Sequence, residues 1–135
     1  MRSPRSSRRG AEALEFALTL PVLLIILGGL IDFGWFATHQ SAVHAAASVG
    51  ARAGSITELG HDPEATAVLA VQRALESAQL EGVEVTAALF ELPTSELAIQ
   101  VEVEAPYSGL WGLVSLPIDY RGSAVMRMNE QPLLQ

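Results

Sequence analysis

The sequence predicts an α+β protein: a long N-terminal transmembrane helix followed by a small head in which one helix packs on about three antiparallel strands. Three observations carry this reading. Residues 16–31, FALTLPVLLIILGGLI, contain no charged side chain. A second helical segment opens on Asp62, Pro63 and Glu64. Beyond it, Leu97, Ile99, Val101 and Val103 alternate with Glu96, Gln100, Glu102 and Glu104, interrupted only at Ala98, the period of a strand with one face buried. At 135 residues the chain holds one small domain besides its N-terminus.

Residues 1–10, MRSPRSSRRG, form a basic, Ser-rich leader with nothing to pack. Sixteen uncharged residues reach about 24 Å as a helix, short of the roughly 30 Å hydrocarbon core. Continuing through Phe33, Trp35, Phe36 and Ala37 makes up the deficit. Asp32 and Trp35 then fall at the outer membrane interface, where amphipathic aromatics concentrate. Arg2, Arg5, Arg8 and Arg9 precede the run and no acid does, so the N-terminus is expected in the cytoplasm and the rest outside. Pro21 and the pair Gly28 and Gly29 are tolerated in a membrane helix.

The helix is expected to run on to residue 55, giving a division into a leader (1–10), an anchoring helix (11–55) and a head (56–135). Ala37, Ala42, Ala45, Ala46, Ala47, Gly50 and Ala51 thin its wall over this stretch. That suits either close packing against other helices or simply high helix propensity.

Asp62 is placed to cap the next helix, with Pro63 at its first position and Glu64 near the positive dipole end. Val68, Val71, Leu75 and Ala78 recur at helical spacing, and Gly82 offers a stop. Val83, Val85, Ala87 and Leu89 alternate with Glu84, Thr86 and Ala88. After a connection at 91–95, Leu97, Ile99, Val101 and Val103 alternate with Glu96, Gln100, Glu102 and Glu104. A third strand is expected over 118–128, with Tyr120, Ala124, Met126 and Met128 on one side and Asp119, Arg121 and Arg127 on the other. The loop at 107–117 between strands carries Leu110, Trp111, Leu113, Val114 and Leu116.

Function concentrates in RRGAEALEF, residues 8–16. Gly10 ends the basic leader and offers a protease a side-chain-free, extended bond. Cleavage there gives Ala11 a free α-amine, a positive charge that the helix dipole disfavours. Glu15 lies four residues on, on the same helix face, and can neutralise that amine in its own chain or in a neighbour. A lone carboxylate at the edge of an apolar span is costly without such a partner.

Gly10, the pair Glu15 and Phe16, the early Pro21, the run Asp32, Phe33 and Gly34, and the downstream Gly50, Ala51 and Arg52 together resemble the TadE-like minor pseudopilins of bacterial tight-adherence (Tad/Flp) pili. The resemblance covers about residues 8–54. Type IV pilins and type II secretion pseudopilins usually carry Phe directly after the Gly; Ala11 there, with Phe16 following Glu15, favours the Tad branch. The resemblance implies a pilin-like head and cleavage by a prepilin peptidase between Gly10 and Ala11. It assigns Glu15 and Phe16 to assembly and processing, and makes the partners a companion pseudopilin, other Tad pilus proteins and the lipid bilayer. It implies a single-pass protein of the bacterial inner membrane that supports adherence and biofilm formation, in the membrane or in the filament.

Two other readings use the same residues. One is a secreted binding domain with a cleaved signal peptide, although a core followed by Asp32 and bulky aromatics makes a poor cleavage site. The other is a membrane-anchored domain with no pilus role. Removing residues 1–10 leaves four Arg against 15 acids, a net charge of −11, which argues against a nucleic-acid partner. The chain has no Cys, so no disulfide or thiolate metal site. His39 and His44 are five apart and His61 is distant, a poor metal-ligand spacing. No nucleophile with a base and no phosphate loop appears, so neither an enzyme nor a cofactor is expected.

Overall fold

The computed structural model describes residues 5–57, 61–78, 80–107 and 118–128. It contains the expected long helix, second helix and three antiparallel strands. Helix α1 (Arg5–Ser55) is unbroken and contains Pro21. At 1.5 Å per residue its 51 residues extend about 77 Å. It begins earlier than the sequence suggests: residues 5–10 continue the helix, and Gly10 is not extended but helical. No acid lies in its first turn, so Arg5, Arg8 and Arg9 occupy the positive dipole end without a compensating charge.

Helix α2 (Pro63–Leu75) begins as its residues dictate. The Asp62 carboxylate accepts from Glu64 N–H at 2.9 Å and from Ala65 N–H at 3.3 Å, satisfying donors that the helix itself cannot. Ala67, Val71 and Leu75 are its buried residues; Val68, expected inside, is only half-buried. The helix tightens into a 3-10 turn (Glu76–Ala78) and so ends ahead of Gly82. Gly82 instead takes a positive φ of 70° just before the first strand.

The sheet is a meander in the order β1-β2-β3, formed by β1 (Glu84–Glu91), β2 (Leu97–Pro106) and β3 (Asp119–Arg127). Val85 faces Val103 and Ala87 faces Val101 across the first pair; Val101 faces Ala124 and Ala105 faces Tyr120 across the second. The β1–β2 connection is a turn in which Ser95 N–H donates to Leu92 C=O at 2.9 Å and Leu92 N–H to Glu96 C=O at 2.8 Å. Ser95 takes the left-handed conformation there, φ 61°, at the position such turns usually reserve for glycine. Both helices cover one face of the sheet. The central strand β2 contributes Ile99, Val101, Val103 and Ala105 to the core.

Val43, Ala46, Ala47 and Ala51 of α1 join that same core. The body of the head therefore draws in the C-terminal part of the long helix as well as residues 61–128. The thin wall seen in the sequence has a specific use. A Cβ on Gly50 would collide with Val71 and stand 3.0 Å from Ala67 O, and one on Gly54 would stand 3.0 Å from Pro63 O. These two glycines, one turn apart, let α2 run antiparallel against α1 at close range, the small-residue packing mode. Gly122 does the same for β3, where a Cβ would lie 2.7 Å from Val43 O. Ala37 and Ala45, which the sequence groups with this wall, face outward.

Leu89 and Leu97 keep the inner-face register yet are exposed. They lie at the far end of the sheet, where α1 has already ended. Both sheet edges are tied to a helix by one polar side chain. Glu64 of α2 accepts from Leu89 N–H at 3.0 Å. Gln40 of α1 donates to Arg121 C=O at 2.8 Å and accepts from Arg121 N–H at 3.4 Å. An edge strand otherwise presents such groups to any passing chain.

Candidate functional site

The site suggested by the sequence is the N-terminal half of α1. There the helix carries large apolar side chains on every face and covers none of them. Leu14, Phe16, Leu18, Val22, Leu23, Leu24, Ile25, Ile26, Leu27, Leu30 and Phe33 are all exposed, Ile25 to 71%. Only 6% of the most apolar stretch is buried, which separates it from the core helix of a soluble fold. An amphipathic surface helix shows one apolar stripe; a helix apolar all round needs an apolar surrounding. From Leu14 to Phe33 the rise is about 30 Å, the thickness of a hydrocarbon core. This helix fits a single-pass membrane anchor.

Gly10, Ala11, Glu15 and Phe16 lie together at the free end of that anchor, and all four are exposed. A Cβ on Gly10 would meet nothing within 4 Å, so no packing constraint explains a glycine there. Ala11 and Glu15 are one helical turn apart, as their spacing requires. Among the described residues no hydrogen bond or ion pair engages the Glu15 carboxylate. Its backbone carbonyl accepts from Thr19 Oγ1 at 2.7 Å. Among the described residues the head makes no contact with Gly10, Ala11, Glu15 or Phe16, because the helix holds the two about 30 Å apart.

At the other end of the span, the structure places Asp32 and Trp35 at the junction with the head. Asp32 is 4% exposed, and neither carboxylate oxygen has a hydrogen-bond partner among the described residues. Its position is therefore a buried one, on the helix face shared with Phe36, His39 and Val43. Trp35 is 39% exposed and packs on His39 with ring centroids 4.3 Å apart. His39 Nδ1 lies 2.9 Å from Trp35 O, a donor contact that fixes the imidazole against its own helix.

An aromatic cluster joins helix to sheet here, and sequence reading did not find it. Phe36 stacks on Tyr120 at 5.4 Å and meets Tyr107 edge-on at 5.7 Å. Tyr107 and Tyr120 meet edge-on at 5.6 Å, a geometry aromatic quadrupoles favour. Burial, and secondarily the neighbouring Tyr107, push the Tyr120 phenol above its ordinary value of 10.0 by disfavouring the phenolate. The helical spacing of Phe36 and His39 was the only available signal, since Tyr107 and Tyr120 lie 71 to 84 residues on.

Among the described residues no three His, Asp or Glu side chains assemble in a way that could hold a metal. The apolar loop at 108–117 lies outside the described residues; its flanks, Tyr107 and Ile118, stand at the end of the sheet nearest the exposed helix.

The family model described as TadE-like protein matches residues 10–52. The match opens on Gly10 and closes on Arg52. It thus takes in Gly10, Ala11, Glu15 and Phe16, the whole apolar span, and the part of α1 that packs into the head. This segment, about a third of the chain, is similar to the TadE-like family, in keeping with the resemblance that its motifs suggest. No curated protein and no solved structure matches the chain significantly.

Proposed function

We propose that this chain is a minor pilin (pseudopilin) that serves biogenesis of a Tad-type type IV pilus and, through it, surface adherence and biofilm formation. It acts by assembly and not by catalysis. The observation that carries the reading is the coincidence of the TadE-like segment with a helix that is bare along its first half and built into a head along its second. A subunit of this shape enters a bilayer, and its apolar half passes from lipid to the matching half of another subunit without meeting water.

In this reading the arginine-rich end faces the cytoplasm, the head lies outside the inner membrane, and a prepilin peptidase cuts between Gly10 and Ala11. The helical leader must unwind for the bond to become extended. Arg5, Arg8 and Arg9 at the positive dipole end make that unwinding inexpensive. Cleavage also reverses the electrostatics of the terminus. The shortened helix begins AEALEF, with Glu12 and Glu15 where the dipole favours acids. The new Ala11 amine is a charge at the edge of hydrocarbon, and Glu15 is a carboxylate there with no partner among the described residues. Pairing the amine of one subunit with Glu15 of a companion pseudopilin relieves both.

The secreted reading is disfavoured by the continuity of α1. Signal cleavage at the small-residue sites near Ala47 or Ala53 would remove core residues such as Val43 and Ala46. Glu15→Ala tests the assembly role. Cleavage of the variant should proceed normally, while piliation, counted by electron microscopy of complemented cells, should fall at least tenfold. Wild-type piliation would reduce Glu15 to a helix-start acid.

A further inference from the structure

A cleft of about 350 Å3 opens at the end of the head nearest the exposed half of α1, lined by Trp35, His39, Leu80, Glu81, Pro106 and Tyr107. We propose that it holds the primary ammonium of a phospholipid headgroup from the outer leaflet, that of a phosphatidylethanolamine. The proposal rests on the reading of α1 as a membrane anchor.

The chemistry of the lining selects a cation. Trp35 and Tyr107 bring aromatic faces, whose negative quadrupole attracts an ammonium lying within about 6 Å of the ring centre. Both rings are held in place: Trp35 by His39 at 4.3 Å, Tyr107 by Phe36 at 5.7 Å and Tyr120 at 5.6 Å. Glu81 adds a carboxylate, and among the described residues nothing pairs with it. The lining contains no Lys or Arg. A bound phosphate or carboxylate would meet Glu81 with no counter-charge, and a neutral apolar ligand would leave that carboxylate unpaired beside it. A compact ammonium satisfies rings and carboxylate together, donating N–H to Glu81.

Location selects the source. Trp35 lies two residues after the exposed Phe33, at the depth where amphipathic aromatics meet headgroups. A processed chain with net charge −11 is repelled by an anionic leaflet. A headgroup that presents an ammonium to it offers the complementary charge. The volume is at the small end of the range for ligand pockets and suits a headgroup, with the acyl chains left along the bare helix.

The test uses the processed full-length chain, purified with an equimolar mixture of phosphatidylethanolamine and phosphatidylglycerol, with retained lipid read by native mass spectrometry. Phosphatidylethanolamine should be retained about fivefold or more over phosphatidylglycerol, the scale of one desolvated cation–π and carboxylate contact. Glu81→Gln, at an exposed position, should remove the preference, and Glu81→Lys should invert it. Equal retention by the wild-type chain, or a preference unchanged in Glu81→Gln and in Trp35→Leu, would overturn the cleft assignment. Flotation with vesicles of the same lipids separates the two readings. A chain that floats without lipid preference overturns the cleft alone, whereas one that does not float overturns the anchor and the cleft with it.

Discussion

The two halves of α1 are one continuous helix, yet they use opposite residue sizes. From Leu14 to Phe33 the side chains are Leu, Ile, Val and Phe, exposed in all directions. From Val43 to Gly54 the inward face is Val, Ala and Gly, and almost none of it is accessible. The difference follows from what each half packs against. Lipid chains are fluid and fill around side chains of any shape, so large apolar residues are favoured without penalty. The head is close-packed, and its interhelical distance is set by backbone contact at Gly50 and Gly54. Hydropathy marks the first half, whereas steric complementarity marks the second. A helix can therefore change environment without a break in its backbone.

The most severe way to break the comparison is to exchange residue sizes. Gly50→Leu should destabilise the head by about 3 kcal/mol, the upper range for overpacking a well-filled core. The gain in helix propensity, about 1 kcal/mol, does not offset it, because the obstructing atoms include the Ala67 carbonyl. Gly29→Leu, where a Cβ meets nothing within 4 Å, should leave head stability unchanged. Thermal unfolding of both variants in the same detergent reads the contrast. Equal losses would mean that the two halves do not differ as described.

A second, smaller effect concerns how the packed half is fastened. Gln40→Ala removes both hydrogen bonds to the backbone of Arg121 and should cost about 1 kcal/mol. It should also raise hydrogen exchange at the β3 edge while leaving β2 protected. Unchanged exchange there would show that the contact carries no weight.

The third effect is confined to alkaline solution. Tyr120 is held neutral by burial, so its folded-state pKa lies above the unfolded value of 10.0. Its contribution to stability is complete below pH 10 and is lost as pH rises through the folded value. Head stability should therefore fall above pH 10 in the wild type and fall less in Tyr120→Phe. Parallel profiles would remove Tyr120 as the cause.

Legibility followed the same division. A membrane-length helix was evident from composition, because residues 16–31 carry no charge, while its exposure on every face, which separates it from a core helix, required the structure. The start of α2 was evident from local chemistry at Asp62, Pro63 and Glu64. β2 showed the cleanest alternation because it is the central strand, with helices on one face and water on the other. What escaped depends on contacts distant in sequence. Ala67 replaced Val68 in the core because α2 turns its small face to Gly50. Leu89 and Leu97 obey the period but extend past the end of α1. Gln40 reads as a solvated helix residue until β3 is placed beside it. The helical leader escaped for an electrostatic reason: its charges oppose the dipole, and only continuity with the anchor sustains it. The motif residues Gly10, Ala11, Glu15 and Phe16 were legible as a pattern, while their isolation from the head required the structure.

If the N-terminal half of α1 is a processed assembly helix, the mark is left on the N-terminus of the protein isolated from membranes of cells with an active prepilin peptidase, read by intact mass and terminal sequencing. The chain should begin at Ala11 and remain membrane-bound. A terminus still at Met1 or Arg2 would contradict this, and a soluble chain beginning beyond residue 37 would establish the secreted alternative.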